Sequence, residues 1–156
     1  MEILQKKSTF KLDAIFKPDD EHWDGVPKIN IYMLRVMFFL MIVFLGKTSW
    51  THLLTFKGSW NPEDAMAWCV WGSFSVLAIL GIIHPLKMLP IVMLEIFYKV
   101  LWLIIVAFPL WKSGQLSGSS AEGMTNAFLW VLLPILAMPW RYFLRKYVLI
   151  TKRGKS

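Results

Sequence analysis

Residues 86–111 read LKMLPIVMLEIFYKVLWLIIVAFPLW, and apart from Lys87, Glu95 and Lys99 the stretch carries no charge. It is too long and too evenly apolar to be one face of an amphipathic helix in water. A membrane span needs roughly 20 residues at 1.5 Å rise each, and Leu86–Leu110 satisfies that alone. Three more apolar blocks lie around it, Ile31–Gly46, Ala65–Ile83 and Met124–Pro139. The first and last are short and must borrow flanking residues. The fold expected is therefore all-α: a polytopic membrane protein with four transmembrane helices in an antiparallel bundle. A soluble helical bundle is the competing fold. It fits poorly with 56% hydrophobic residues, nine Trp and eleven Phe.

The rest of the chain divides around that core. Residues 1–30 are expected to form a cytoplasmic N-terminal tail, residues 31–139 the transmembrane domain, and residues 140–156 a basic amphipathic cytoplasmic segment. Nothing in Met1–Asn30 has the layout of a cleavable signal peptide, so the first span is expected to stay as an anchor. Phe10, Leu12, Ile15 and Phe16 allow a short amphipathic turn that Pro18 and the acidic run Asp19, Asp20, Glu21 would end. A loosely ordered tail is the alternative, and the one favoured.

Orientation follows from Lys and Arg near the span ends. One side carries Lys6, Lys7, Lys11, Lys17, Lys28, Arg35, Lys87, Arg141, Arg145, Lys146, Lys152, Arg153 and Lys155. The other carries Lys47, Lys57 and Lys112. Thirteen against three places both termini in the cytoplasm. The same excess produces the net charge of +7. Anionic lipids at the inner leaflet explain it more simply than nucleic acid does. Cys69 is the single cysteine, so no intramolecular disulfide is available.

Local signals punctuate the helices. Asn61-Pro62-Glu63-Asp64 has a capping side chain, a first-turn proline and two acids suited to a helix N-terminus. His84-Pro85 leaves so short a connection that the helices on either side must form a hairpin. Pro90 falls in the first turns of its helix, where a missing donor costs little. Ser113, Gly114, Ser117 and Gly118 mark a flexible outer loop. Ser119 and Glu122 have capping-box spacing, and Pro134 should kink the fourth span. Beyond Pro139, Trp140, Phe143, Leu144, Tyr147 and Val148 recur at helical spacing with Arg141, Arg145 and Lys146 between them. That pattern suits a basic helix along the inner membrane surface, with continuation of the fourth helix as the alternative.

Glu95 and Lys99 are the candidate site. Counting from Leu86, Glu95 lies about 13 Å into the bilayer and Lys99 about 6 Å deeper, so they straddle its middle. Ionisable residues there are costly. Glu before Lys at i,i+4 is the favourable order for an intrahelical pair. One reading is a self-neutralising pair that fixes packing. The other is a proton- or substrate-responsive site. Arg35 has two options: completing a cluster with Glu95, or extending to the inner headgroups, which is favoured. Tyr98 and Trp102 bracket the pair as site lining. Trp102 shares the Lys99 face and can offer a cation–π contact or simply face lipid. Ala65, Cys69 and Ser73 form a small-residue strip suited to close helix packing. His22, His52 and His84 are too scattered for a metal or haem site. No phosphate loop, dinucleotide fingerprint or nucleophile motif is present, so no cofactor is expected and nothing argues for an enzyme.

The run His84-Pro85-Leu86-Lys87-Met88-Leu89-Pro90, followed by Glu95, Lys99, Trp102 and Leu103, together with Pro139-Trp140-Arg141-Tyr142, resembles an uncharacterised group of small bacterial four-helix inner-membrane proteins. The resemblance covers about Ile31–Tyr147. It implies the four-helix architecture and a bacterial inner membrane, and it implies no function. The layout is also similar to that of DoxX-like four-helix proteins. Small size, short loops and two basic tails suggest a small membrane subunit or accessory protein, with a membrane-protein partner or a homo-oligomer. A proton- or solute-responsive transporter-like protein using Glu95 and Lys99 is the alternative, and a membrane enzyme is a third.

Overall fold

The computed structural model describes residues 15–149, and they are mostly helical. The expected turn at Phe10 and Leu12 and the tail residues Lys152, Arg153 and Lys155 lie outside them. The described chain begins with a small antiparallel pairing of β1 (Pro18–Asp19) and β2 (Val26–Pro27). Between them sits α1 (Asp20–Trp23). Four long helices follow: α2 (Lys28–Thr55), α3 (Pro62–Ile83), α4 (Leu89–Lys112) and α5 (Ala121–Ala137). A short α6 (Trp140–Val148) turns away from α5 by 74°, so it is not a plain continuation.

Helices α2, α3 and α4 have 28, 22 and 24 residues and are long and apolar enough to cross a membrane; α5 and α6 together make a bent fourth candidate. The start of α3 follows its sequence signal: the Asn61 side chain accepts from the Glu63 and Asp64 N–H groups at 2.9 and 3.5 Å. Pro90 lies in the first turn of α4. At the fourth helix the expected capping box is shifted. The Glu122 carboxylate accepts from Gly118 N–H at 2.8 Å, and Ser119 Oγ accepts from Ala121 N–H at 3.3 Å. Gly118 sits at φ 76°, a backbone that suits glycine, and this turns its N–H towards the glutamate. Where a kink of the fourth span is expected, Pro134 marks a change of hydrogen bonding, and the 74° bend comes later, between Ala137 and Trp140. Pro134 supplies no N–H to the Trp130 carbonyl. The preceding backbone tightens so that Val131 and Leu133 donate to Phe128 and Trp130.

Wider, π-helical turns interrupt α2 at Met41–Gly46 and α4 at Leu103–Ala107, and a third ends α6 at Leu144–Val148. The first brings Gly46 against α3, where a Cβ would stand 3.2 Å from Ser75. Gly81 is tighter still. A Cβ there would lie 2.5 Å from the fully buried Phe38 ring. The contact between α2 and α3 thus runs through Gly46, Gly72, Ser75, Ala78 and Gly81. The strip Ala65, Cys69, Ser73 does not serve it. Cys69 and Ser73 are exposed and border an outward apolar groove of about 330 Å³ with Ile91 and Leu94.

The core is a single cluster. It includes Leu34, Phe38 and Met41 of α2, Phe74 and Ala78 of α3, Leu89, Val92 and Ile96 of α4, and Val131 and Ala137 of α5. The outward faces are also apolar: Val36, Phe39, Val76, Phe97, Ile104 and Leu132 are all more than half, or about half, exposed. Continuous apolar surface of that extent does not suit water.

The described residues before α2, 15–27, are more ordered than the loose tail expected there. Val26 is buried in the core, and Asp24 takes two hydrogen bonds from α6. Local sequence there is polar, so the order comes from contacts made far along the chain.

Candidate functional site: a buried charge pair in an aromatic frame

Helix α4 places Glu95 on its inward face with Val92 and Ile96, and Lys99 one turn further on. The Lys99 amine donates to Glu95 Oε1 at 2.6 Å. Glu95 is 6% exposed. Its other oxygen, Oε2, is buried and makes no hydrogen bond among the described residues. A buried polar atom left unsatisfied costs about 1–3 kcal/mol, and more when charged. Lone carboxylates of this kind need an explanation, either packing specificity or a proton.

Aromatic rings frame the pair. The Lys99 amine lies 5.9 Å from the centroid of Phe128 on α5, within cation–π reach. Phe128 takes the edges of Tyr98 and Trp102, with centroids at 5.6 and 5.1 Å and interplanar angles of 77° and 71°. Tyr98 also stacks on Phe74 of α3 at 6.0 Å. The cation–π partner is thus Phe128, and Trp102 meets the lysine only through that ring. Phe128 and Phe74 escape sequence reading because each is one phenylalanine among eleven on helices distant in the chain.

Arg35 does not join Glu95. Its Nε donates to the Ile82 carbonyl at 3.2 Å, and its guanidinium sits 5.4 Å from the Trp23 ring. Ile82 is in the last turn of α3, where carbonyls lack intrahelical donors and carry partial negative charge. A cation at that end is held without a carboxylate. The expected cluster of three charges is therefore a pair, with Arg35 acting as a cap on α3.

The three basic residues of α6, Arg141, Arg145 and Lys146, are all exposed. Among the described residues only Arg145 is engaged, donating to the Asp24 carbonyl at 3.2 Å. Tyr142 donates to the Asp24 carboxylate at 3.4 Å, and Tyr147 to the Leu86 carbonyl at 2.8 Å. Asn30 donates to the Ala137 carbonyl at 3.2 Å. The N-terminal hairpin, the α3–α4 turn and α6 are thereby tied into one layer. Burial raises the Tyr142 hydroxyl pKa above its ordinary value, with the Asp24 charge adding to the effect; burial alone raises Tyr147. Both stay protonated donors at neutral pH.

Among the described residues no group of three His, Cys, Asp or Glu side chains could hold a metal ion. Comparison with protein-family models, curated proteins and solved structures finds no match.

Proposed function

We propose that this chain is a multi-pass protein of a bacterial inner membrane, with four spans in an antiparallel bundle and both ends in the cytoplasm. Two features support membrane insertion: helices of spanning length, and apolar side chains on their outward faces. Reporter fusions after Lys7 and after Lys155 test the topology. Both should report cytoplasm, and an outside result at either end removes the four-span arrangement.

Within that membrane the chain serves as a small membrane subunit or accessory protein. The observation that carries this reading is the tied inner layer. Asp24 and Leu86 hold α6 across the bundle end, so that Arg141 and Lys146 point outward from a fixed surface. Such a surface suits anionic headgroups or an acidic face of a membrane-protein partner. The test is purification of the full chain in mild detergent. A partner should stay in fixed stoichiometry through size exclusion and be lost on replacing Arg141 and Lys146 by glutamine. A lone monomer in every gentle detergent argues against it.

A second reading, a proton- or solute-responsive role, rests on the unsatisfied Glu95 Oε2. It requires a pH-driven flux or a pH-dependent change in the reconstituted protein that Glu95→Gln abolishes. An unchanged response in that variant removes it.

A further inference from the structure

Lys47, Thr48, Thr51, His52 and Thr55 follow Phe44 along one face of α2. With Trp68 of α3 they line an open groove of about 510 Å³. We infer that this groove binds one anionic glycerophospholipid of the outer leaflet whose headgroup carries free hydroxyls, as in phosphatidylglycerol. The inference rests on the membrane reading above.

Position is the first argument. Counting from Ile31, Lys47 lies about 24 Å along a bilayer core roughly 30 Å thick. Phe44 is then at acyl-chain depth, and Thr51, His52 and Thr55 reach the headgroup zone. The second argument is charge. Lys47 is exposed and forms no ion pair among the described residues, not even with Glu63 or Asp64 at the start of α3. An unpaired amine beside a lipid phosphate gains a charge-assisted hydrogen bond.

Geometry adds selectivity. His52 is held in place by stacking on Trp68 at 4.0 Å, with Trp60 edge-on at 5.6 Å and Phe56 at 5.4 Å. Its ring is a positioned donor rather than a loose surface group. Thr48 and Thr55 already donate their hydroxyl protons to the carbonyls of Phe44 and Thr51, at 2.9 and 2.7 Å. What they present to the groove is acceptor oxygen. A phosphate needs donors, which Lys47 and His52 supply; a glycerol headgroup brings donors, which the threonines accept. A choline headgroup has no hydroxyl, and its cation would be repelled by Lys47.

The experiment uses the full chain in detergent, with lipid adducts counted by native mass spectrometry. Phosphatidylglycerol, phosphatidylmethanol (the same single charge, no headgroup hydroxyl) and phosphatidylcholine are compared. Wild type should hold phosphatidylmethanol about fivefold more tightly than phosphatidylcholine, the scale of one basic contact near such a surface, and phosphatidylglycerol more tightly still. Lys47→Gln should remove the step between phosphatidylmethanol and phosphatidylcholine. Thr48→Val should bring phosphatidylglycerol down to phosphatidylmethanol. Lys112→Gln, an exposed basic residue outside the groove, should change nothing. A preference for phosphatidylmethanol over phosphatidylcholine that survives Lys47→Gln overturns the site, as does equal binding of the three lipids by wild type, which needs no variant to fold. Full displacement of lipid by glycerol phosphate in solution would assign the groove to a soluble anion and overturn the lipid assignment. Recovery of the chain from the soluble fraction would instead overturn the membrane reading itself.

Discussion

Two Lys–carboxylate pairs stand at different places in this molecule. Lys99 meets Glu95 at 2.6 Å with side chains 15% and 7% exposed; Lys28 meets Asp19 at 3.2 Å with side chains 47% and 11% exposed. The chemistry is the same, but the surroundings differ. Water reaches Lys28 and screens it, so that pair contributes little. Around Glu95 and Lys99 there are aromatic rings and aliphatic chains, so loss of one partner leaves a charge with nothing to answer it. Asp19 also has a better donor than the lysine. The His22 N–H at 3.0 Å is the main reason its carboxyl sits below the ordinary range, with Lys28 and the His22 ring lowering it further against an opposing effect of burial. Ion pairs thus matter here in proportion to how completely the fold encloses them.

The sharpest way to break that comparison is to remove each charge of the inner pair separately. Glu95→Gln and Lys99→Met should each destabilise by about 3–5 kcal/mol, and the double variant by clearly less, because a buried pair can often be replaced by apolar groups without loss. Denaturation in mixed micelles measures this. Additive losses in the double variant would show that the pair is not the unit. A double variant that is stable but has lost the cellular phenotype would show that the pair works rather than merely packs.

Enclosure itself can be attacked next. Gly81→Ala places a methyl 2.5 Å from the buried Phe38 ring, an overpacking that should cost about 1–3 kcal/mol. Unchanged melting would mean that α2 and α3 can separate without effect, and the close approach would lose its assigned role.

A smaller effect is expected at the layer where α6 is tied to the α3–α4 turn. Tyr147→Phe removes the bond to the Leu86 carbonyl and should cost no more than about 0.5–1.5 kcal/mol. Its clearer readout is hydrogen exchange, which should rise in α6 and leave α4 unchanged. Faster exchange throughout would tie α6 to the global fold instead.

The smallest effect belongs to Asp19. A carboxyl whose folded pKa is depressed stabilises the fold above its ordinary pKa and loses that contribution as pH falls through the folded value. Asp19→Asn should therefore matter slightly at neutral pH and not at all in strong acid. Lys28→Met should matter less still, and only at low salt. A neutral-pH loss matching that of Glu95→Gln would overturn the contrast between the two pairs.

Much of the architecture was legible because it is written in local composition. Apolar blocks marked the four long helices to within a few residues, except that α2 runs on to Thr55 and not Gly46. Its last two turns are rich in threonine and tryptophan and look like loop by composition, yet they are held as helix by packing on α3. Asn61 acted by accepting from backbone donors two and three residues on, and Pro90 and Pro134 by lacking a donor of their own; none needs a partner from elsewhere in the chain. The Glu95–Lys99 contact was legible for the same reason: residues four apart on a helix are neighbours whatever the rest of the chain does.

Everything that depended on which helix faces which was decided by tertiary structure. Sequence offered Glu95 to Arg35 as a partner; packing against the end of α3 gave its Nε the Ile82 carbonyl instead. It offered Lys99 a tryptophan on its own helix, and the bundle supplied Phe128 from α5. It marked Ala65, Cys69 and Ser73 as a contact strip, while the rotation of α3 turned them outward and used Gly72, Ser75 and Gly81. The physical reason is that spacing along a helix fixes a stripe but not its azimuth. That angle is set by side-chain fit between elements far apart in the chain, which no local pattern encodes.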